Sequence, residues 1–133
     1  MDMDFKGEGT SVLIPQGWHA VQVVNVEYGL SKKNSNEMWT ITIEEPNSGS
    51  VDVVYAVLTK GKRWVAKSFI EACNFVKDAD GIYHVEPEEC IGITVEALNI
   101  PEQNDFVRKD GTKVVEMRNK FIKFRAAEMK ATV

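Results

Sequence analysis

The sequence is short of the residues that carry most catalysis and metal binding. Histidine and cysteine each occur only twice in 133 residues. His19 and His84 lie far apart and lack companions of ligand type at suitable spacing, so no metal site is nominated. His19, beside Trp18 at a strand start, reads as a surface residue, and His84, next to Tyr83, as a polar turn residue. Cys73 and Cys90 stand in no CxxC or Cys/His pattern and read as reduced, intracellular core thiols. No GxxxxGK[ST], GxGxxG, HExxH or GxSxG is present, which removes phosphate loops and the common hydrolase signatures. Glu86, Glu88 and Glu89 cluster as a solvated acidic loop rather than as an acid–base pair. The expectation is a non-enzyme with no catalytic residue, metal or cofactor.

Long apolar runs are missing too. None approaches the ~20 residues of a membrane span. The start MDMDFKGEG has neither the basic opening nor the apolar stretch of a signal peptide. What is present is ordinary for one soluble globular domain: 44% apolar and 27% charged residues, with 9% aromatics. That supply of aromatics and β-branched residues excludes wholesale disorder. A chain of this length buries roughly two-thirds of its unfolded surface, so its core needs no disulfide or metal. One domain over residues 1–133 is expected, with loose termini at about 1–12 and 126–133.

Net charge is −4, but its distribution matters more than its sum. Met1 to Ile70 carries 7 Lys/Arg against 8 Asp/Glu, net −1. Glu71 to Asp105 carries 1 against 9, net −8, and Phe106 to Val133 carries 8 against 3, net +5. An acidic stretch is followed by a basic one.

Valine-rich WHAVQVVNVE (Trp18 to Glu27) fits a strand that starts after the turn Pro15-Gln16-Gly17. Polar SKKNSN (Ser31 to Asn36) leads into MWTITIE (Met38 to Glu44), where Trp39, Ile41 and Ile43 alternate with Met38, Thr40 and Thr42. After the turn Glu45 to Ser50, VDVVYAVL (Val51 to Leu58) makes a third strand, and the three form an antiparallel meander. The period then changes. Gly61 to Phe75 reads as one helix, ended by Asp78-Ala79-Asp80-Gly81, with Trp64, Val65, Phe69, Ala72, Cys73 and Val76 on its buried side. Pro87 to Cys90 reads as a single helical turn with Pro at its first position. Gly92 to Asn99 is a fourth strand, and Pro101 to Asn104 a loop. Phe106 to Arg108 and Lys113 to Phe124 form a hairpin around Asp110-Gly111. Mainly β with one helix after the third strand, the order predicts an OB-fold-like antiparallel barrel of five to six strands.

Basic residues interleaved with aromatics are the informative feature. Single-stranded nucleic acid is held by a positive groove along its phosphates and by aromatic faces under its bases. Phe106-Val107-Arg108-Lys109 and the run Met117 to Arg125 have that composition. As one continuous strand, the second run would place Arg118, Lys120 and Ile122 on one face and Asn119, Phe121 and Lys123 on the other. Candidate phosphate contacts are Lys32, Lys33, Lys60, Lys62, Arg63, Arg108, Lys109, Lys113, Arg118, Lys120 and Lys123. Candidate stacking residues are Trp39, Tyr55, Phe106 and Phe121. Trp39 and Tyr55 share faces with Ile or Val, which favours the core for both, and Phe121 fits either role. Trp64 is assigned to the core.

Several short motifs occur in a telling order: Gly17-Trp18 at a strand start, and the Ser31-Lys32-Lys33-Asn34 turn feeding a strand. Phe69-Ile70-Glu71-Ala72-Cys73 follows on the helix, then Pro87-Glu88-Glu89-Cys90-Ile91-Gly92 before a strand, then Arg118-Asn119-Lys120-Phe121-Ile122. In this order the chain resembles, from about Gly17 to Phe124, a family of small tailed-phage and prophage proteins. That family was first catalogued as a domain of unknown function and is regarded as OB-fold single-stranded DNA-binding proteins. The resemblance implies sequence-tolerant binding of single-stranded DNA in phage DNA replication or recombination, in the cytoplasm of a bacterial host cell. Replication or recombination proteins are implied as further partners, with no membrane, and pairing of two copies would lengthen the groove of so small a barrel. The chain departs from many such proteins in ending Glu128-Met129-Lys130-Ala131-Thr132-Val133 rather than in an acidic, aromatic-tipped tail. The competing expectation is a protein-interaction barrel of the same fold, using the acidic segment Asp78 to Glu89 against a basic partner.

Overall fold

The computed structural model describes residues 11–31, 35–61 and 63–127. The three valine- and isoleucine-rich segments form β1 (Gly17–Leu30), β2 (Glu37–Glu45) and β3 (Ser50–Val57), each antiparallel to the next. The alternation in β2 puts Trp39, Ile41 and Ile43 in the core, and Thr42 is covered as well. The helix α1 (Trp64–Ala72) follows, then a 3-10 turn at Pro87–Cys90 and β4 (Thr94–Asn99). The chain continues through β5 (Glu102–Val107), β6 (Lys113–Arg118) and β7 (Phe121–Ala126).

Five strands make one sheet in the order β3-β2-β1-β4-β7, while β5 and β6 form a separate two-stranded ribbon. The fold is mainly β with a single helix, an OB-like half-barrel. The sheet does not close. β3 and β7 are its two edges and are not hydrogen-bonded to each other. Helix α1 packs chiefly on β7 and also touches β3, so it sits across the end of the core. Val21, Val23, Ile41, Ile43, Val95 and Phe69 fill that core, with Phe69 edge-on to both Trp39 and Phe124.

Three expectations are corrected. The helix is shorter than residues 61–75. Asn74 takes a left-handed conformation (φ 66°), and the amides of Asn74 and Phe75 close back on the carbonyls of Glu71 and Ile70. This is a Schellman end, so the Asp78 turn comes after the helix and Val76 lies exposed beyond it. The Pro101 to Asn104 loop is in fact mostly strand, since β5 begins at Glu102. Finally, 113–124 is not one strand. The chain leaves β6 at Arg118 and enters a different sheet at Phe121.

The corner between them is built by two asparagines. Asn99, fully buried, accepts the Lys120 amide on its Oδ1 (2.8 Å) and donates to the Ile14 carbonyl (2.8 Å) and to Asn119 Oδ1 (3.1 Å). Asn119 in turn accepts the Ile14 amide and donates to the Val12 carbonyl (2.7 Å). Ser11 and Val12, expected to be loose, are pinned there, with Val12 donating its amide to Ser50 Oγ. At the other end, Ala126 pairs with Val95 in the sheet rather than opening a loose tail.

Cys73 and Cys90 are buried free thiols. The side-chain hydrogen bond to Cys90, then burial, push the Cys73 thiol well above its ordinary value. A protonated, covered thiol is a poor nucleophile. Among the described residues no helix is long and apolar enough to cross a membrane.

Candidate nucleic-acid interface

The open edge of the half-barrel makes the most distinctive surface. β3 and β7 face each other across a groove of about 380 Å³, floored by Val54, Val65 and Phe121 and walled by Tyr55 and Trp64. At one end Asn119 bridges the gap, its Nδ2 donating to both Asp52 carboxylate oxygens at 3.3 Å. Alternation along β3 turns Val54 and Ala56 inward and leaves Tyr55 62% exposed. Trp64 opens α1 and is 58% exposed. Two broad aromatic faces therefore stand in one groove.

Arg118 and Lys120 line the same groove, together with Asp52 and Glu102. Lys120 Nζ lies 3.0 Å from Glu102 Oε2, both well exposed, a pairing of little net strength in water. Arg118 forms no ion pair among the described residues. Helix α1 has no side-chain cap and no acid in its first turn, so the positive end of its dipole is left unneutralised beside Trp64.

The β5–β6 ribbon extends this surface. Its register places Glu102 opposite Arg118, Asn104 opposite Glu116 and Phe106 opposite Val114. These six share one face, because side chains alternate along a strand. Phe106, 39% exposed, thus lies on the same ribbon face as the groove residue Arg118. Arg108, Lys109 and Lys113 stand at the ribbon's tip, exposed. The turn between them is set by Asp110, whose Oδ1 accepts the Thr112 amide at 2.9 Å. Hydrogen bonds from the Thr112 side chain and backbone hold the Asp110 carboxyl below its usual range.

The predicted site residues divide accordingly. Tyr55, Arg118 and Lys120 come together in the groove, with Phe106 on the adjoining ribbon face. Lys60 and Arg63 are exposed on the connection from β3 to α1. Lys32, Lys33 and Lys62 lie outside the described residues. Two aromatics are corrected. Trp39 is 6% exposed and Phe121 8% exposed, both inside the core, so neither presents a face to a base. Phe121 turned inward because β7 starts a new register after the Asn119 corner. Lys123 is also displaced from the groove. With Arg125 it covers the Trp18 ring on the outer face of β1-β4-β7, at 5.7 Å and 4.1 Å from the ring centre. Arg125 is held there by Glu96.

Trp64 is the residue that sequence reasoning missed, having assigned it to the core. The signal was there in the spacing. Ala66, Phe69, Ala72 and Cys73 form the buried stripe, at steps of three and four. Trp64 falls roughly 200° round the helix from Ala66. It also directly follows Lys60-Gly61-Lys62-Arg63.

Apart from Glu102 and Asp105 on the ribbon, the carboxylates of the acidic stretch lie elsewhere. Glu86 and Glu88 border a separate cleft of about 590 Å³ with Tyr28, Val85 and Pro87. Asp78 closes its own turn, with Oδ1 accepting the Asp80 and Ile82 amides and Oδ2 meeting His84 at 2.8 Å. Among the described residues no three His, Cys, Asp or Glu side chains converge as a metal site. No known protein family and no curated protein sequence matches the chain.

Proposed function

We propose that the protein binds single-stranded DNA without catalysis and without base specificity, in phage DNA replication or recombination. The observation that carries this reading is the pairing of Tyr55 and Trp64, two exposed aromatic faces, with Arg118 and Lys120 in one open groove. Bases stack on such faces whatever their identity, and each stacked base is worth about 1–3 kcal/mol. The cations take the phosphates. In OB folds, oligonucleotides lie on the face of the second and third strands, between the loops that flank it. Here Tyr55 stands on β3, the β5–β6 ribbon lies in the connection from β4 to β7, and the sequence between β1 and β2 contains Lys32 and Lys33. The motif order supplies the phage setting.

Fluorescence anisotropy with a labelled thymine oligonucleotide of about 30 residues and its duplex tests this. The expected result is preference for the single strand and an affinity that falls steeply between roughly 50 and 300 mM salt. Equal, weak binding to both forms, or affinity flat in salt, overturns it. A second reading, a protein-interaction barrel, is favoured by the cleft between Tyr28 and Glu86. Charge reversal at Glu86 and Glu88 would then abolish capture of a basic partner and leave DNA binding intact.

A further inference from the structure

A third cleft adjoins the groove between β3 and β7, the seam groove. Its volume is about 450 Å³, and Arg63, Lys67, Lys77 and Tyr83 line it over a floor of Ala66 and Ile70. The first turn of α1 is the partition between the two: Trp64 and Val65 border the seam groove, while Arg63, Ala66 and Lys67 border this cleft.

Three cations from two places in the chain converge here. Lys77 is the one Lys or Arg in the acidic stretch from Glu71 to Asp105, and folding lays it against the same cleft as two cations of the helix. Gathering like charges is unfavourable unless something negative answers them. No carboxylate lines the cleft among the described residues. Glu71 stands nearest in the chain to Lys67, at 3.9 Å, but both are exposed and such a pair contributes little. Asp78, next to Lys77, is occupied by its own turn and by His84. Tyr83, half-buried, lines the same cleft as the cations.

We infer that this cleft is a second phosphodiester-binding subsite, occupied by the same single strand after it passes over the first turn of α1 from the seam groove. The inference rests on the single-stranded DNA reading and adds to it a path and a longer footprint. A strand that fills only the seam groove does not reach Lys67 and Lys77, and a longer one does.

The test compares two thymine oligonucleotides, of about 6 and about 30 residues, on the wild type and on a Lys67→Gln/Lys77→Gln double variant. Both side chains are exposed, so the fold is expected to survive, and an unchanged thermal unfolding curve checks that. For the long oligonucleotide the variant should bind about tenfold more weakly, with a salt slope shallower by roughly 1.4, the loss of two phosphate contacts at about 0.7 each. For the short one, affinity and slope should match the wild type. Trp64→Ala should weaken both lengths. An unchanged slope on the long oligonucleotide in the double variant, with Trp64→Ala still weakening it, overturns the second subsite alone. Loss of equal size on both lengths also overturns it, since the cations would then act on the seam groove. A cleft that serves free nucleotide instead would show thymidine monophosphate binding lost in the double variant while the long oligonucleotide is untouched. Absence of wild-type binding to either length removes the DNA reading itself.

Discussion

Two tryptophans separate what holds the protein together from what it leaves on its surface. Trp39 lies on the buried face of β2, edge-on to Phe69 at 6.4 Å between ring centres. Trp64 stands on the exposed rim of the seam groove. Truncating a buried aromatic loses transfer energy and leaves a cavity, at about 3–5 kcal/mol. Truncating an exposed one costs stability little, but it removes a stacking platform worth about 1–3 kcal/mol per base. Trp39→Ala should therefore lower the urea midpoint strongly, while Trp64→Ala leaves the midpoint in place and weakens oligonucleotide binding by roughly tenfold or more. Urea denaturation and anisotropy on both variants check this, and a reversal of the two outcomes would sink the assignment of the groove. Strand alternation alone made Trp39 legible as core, because Ile41 and Ile43 share its face. The same rule pointed Tyr55 inward with Val53 and Val57, yet Val53 and Tyr55 are exposed and it is Val54 and Ala56 that are buried. The valines of β3 occupy both faces, so composition did not mark which one met the core.

The elements show where local sequence suffices and where it does not. The β1-β2-β3 meander is written in its own residues: turn residues at fixed places and period-two hydrophobicity between them. The break at Asn119–Lys120 is not, because its cause is Asn99, far back in the chain, which takes the Lys120 amide that a continuous strand would have used in a ladder. The end of α1 was similarly hidden, since Asn74 rather than glycine supplies the left-handed residue. The β2–β3 turn carries a device of its own. Glu45 is buried at the end of β2, and its Oε2 accepts both the Ser48 amide and the Ser48 hydroxyl, the latter at 2.7 Å. Burial by itself raises the Glu45 carboxyl, but the hydrogen bonds from Ser48 and Asn47 outweigh it and hold the group below its ordinary value. A carboxyl lowered in the folded state stabilises the fold fully above its unfolded value, and that contribution fades as pH falls through the folded one. Between about pH 7 and about pH 3 the wild type should lose more stability than Glu45→Gln, which has no charge to lose there. Urea unfolding of both at each pH measures the difference, and equal losses would mean that the carboxylate does not anchor the turn.

At the scale of the whole molecule, the segmented charge becomes a spatial arrangement. The basic stretch supplies Arg118 and Lys120 to the seam groove and Arg108, Lys109 and Lys113 to the ribbon tip, while Glu86 and Glu88 border a different cleft. The single cation of the acidic stretch, Lys77, joins the helix side. A net charge of −4 thus coexists with a basic ribbon tip and with a groove where Arg118 and Lys120 stand beside Asp52 and Glu102. On the single-stranded DNA reading proposed above, the acids would act at a distance, by repelling a polyanion from the rest of the protein. Such repulsion is screened within a Debye length of about 10 Å at 0.1 M salt. Glu88 and Glu89 are exposed on the 3-10 turn, so Glu88→Lys/Glu89→Lys should leave the unfolding curve in place. At about 50 mM salt the variant should associate several-fold faster with single strands and bind duplex more tightly than the wild type does. At about 300 mM salt, where the field is screened, the two proteins should be alike. Stopped-flow association at both salts reads this directly. Faster association that persists at high salt would mean that the new lysines make contacts of their own, and no change at either salt would mean that the acids leave the path of the DNA untouched and serve another partner.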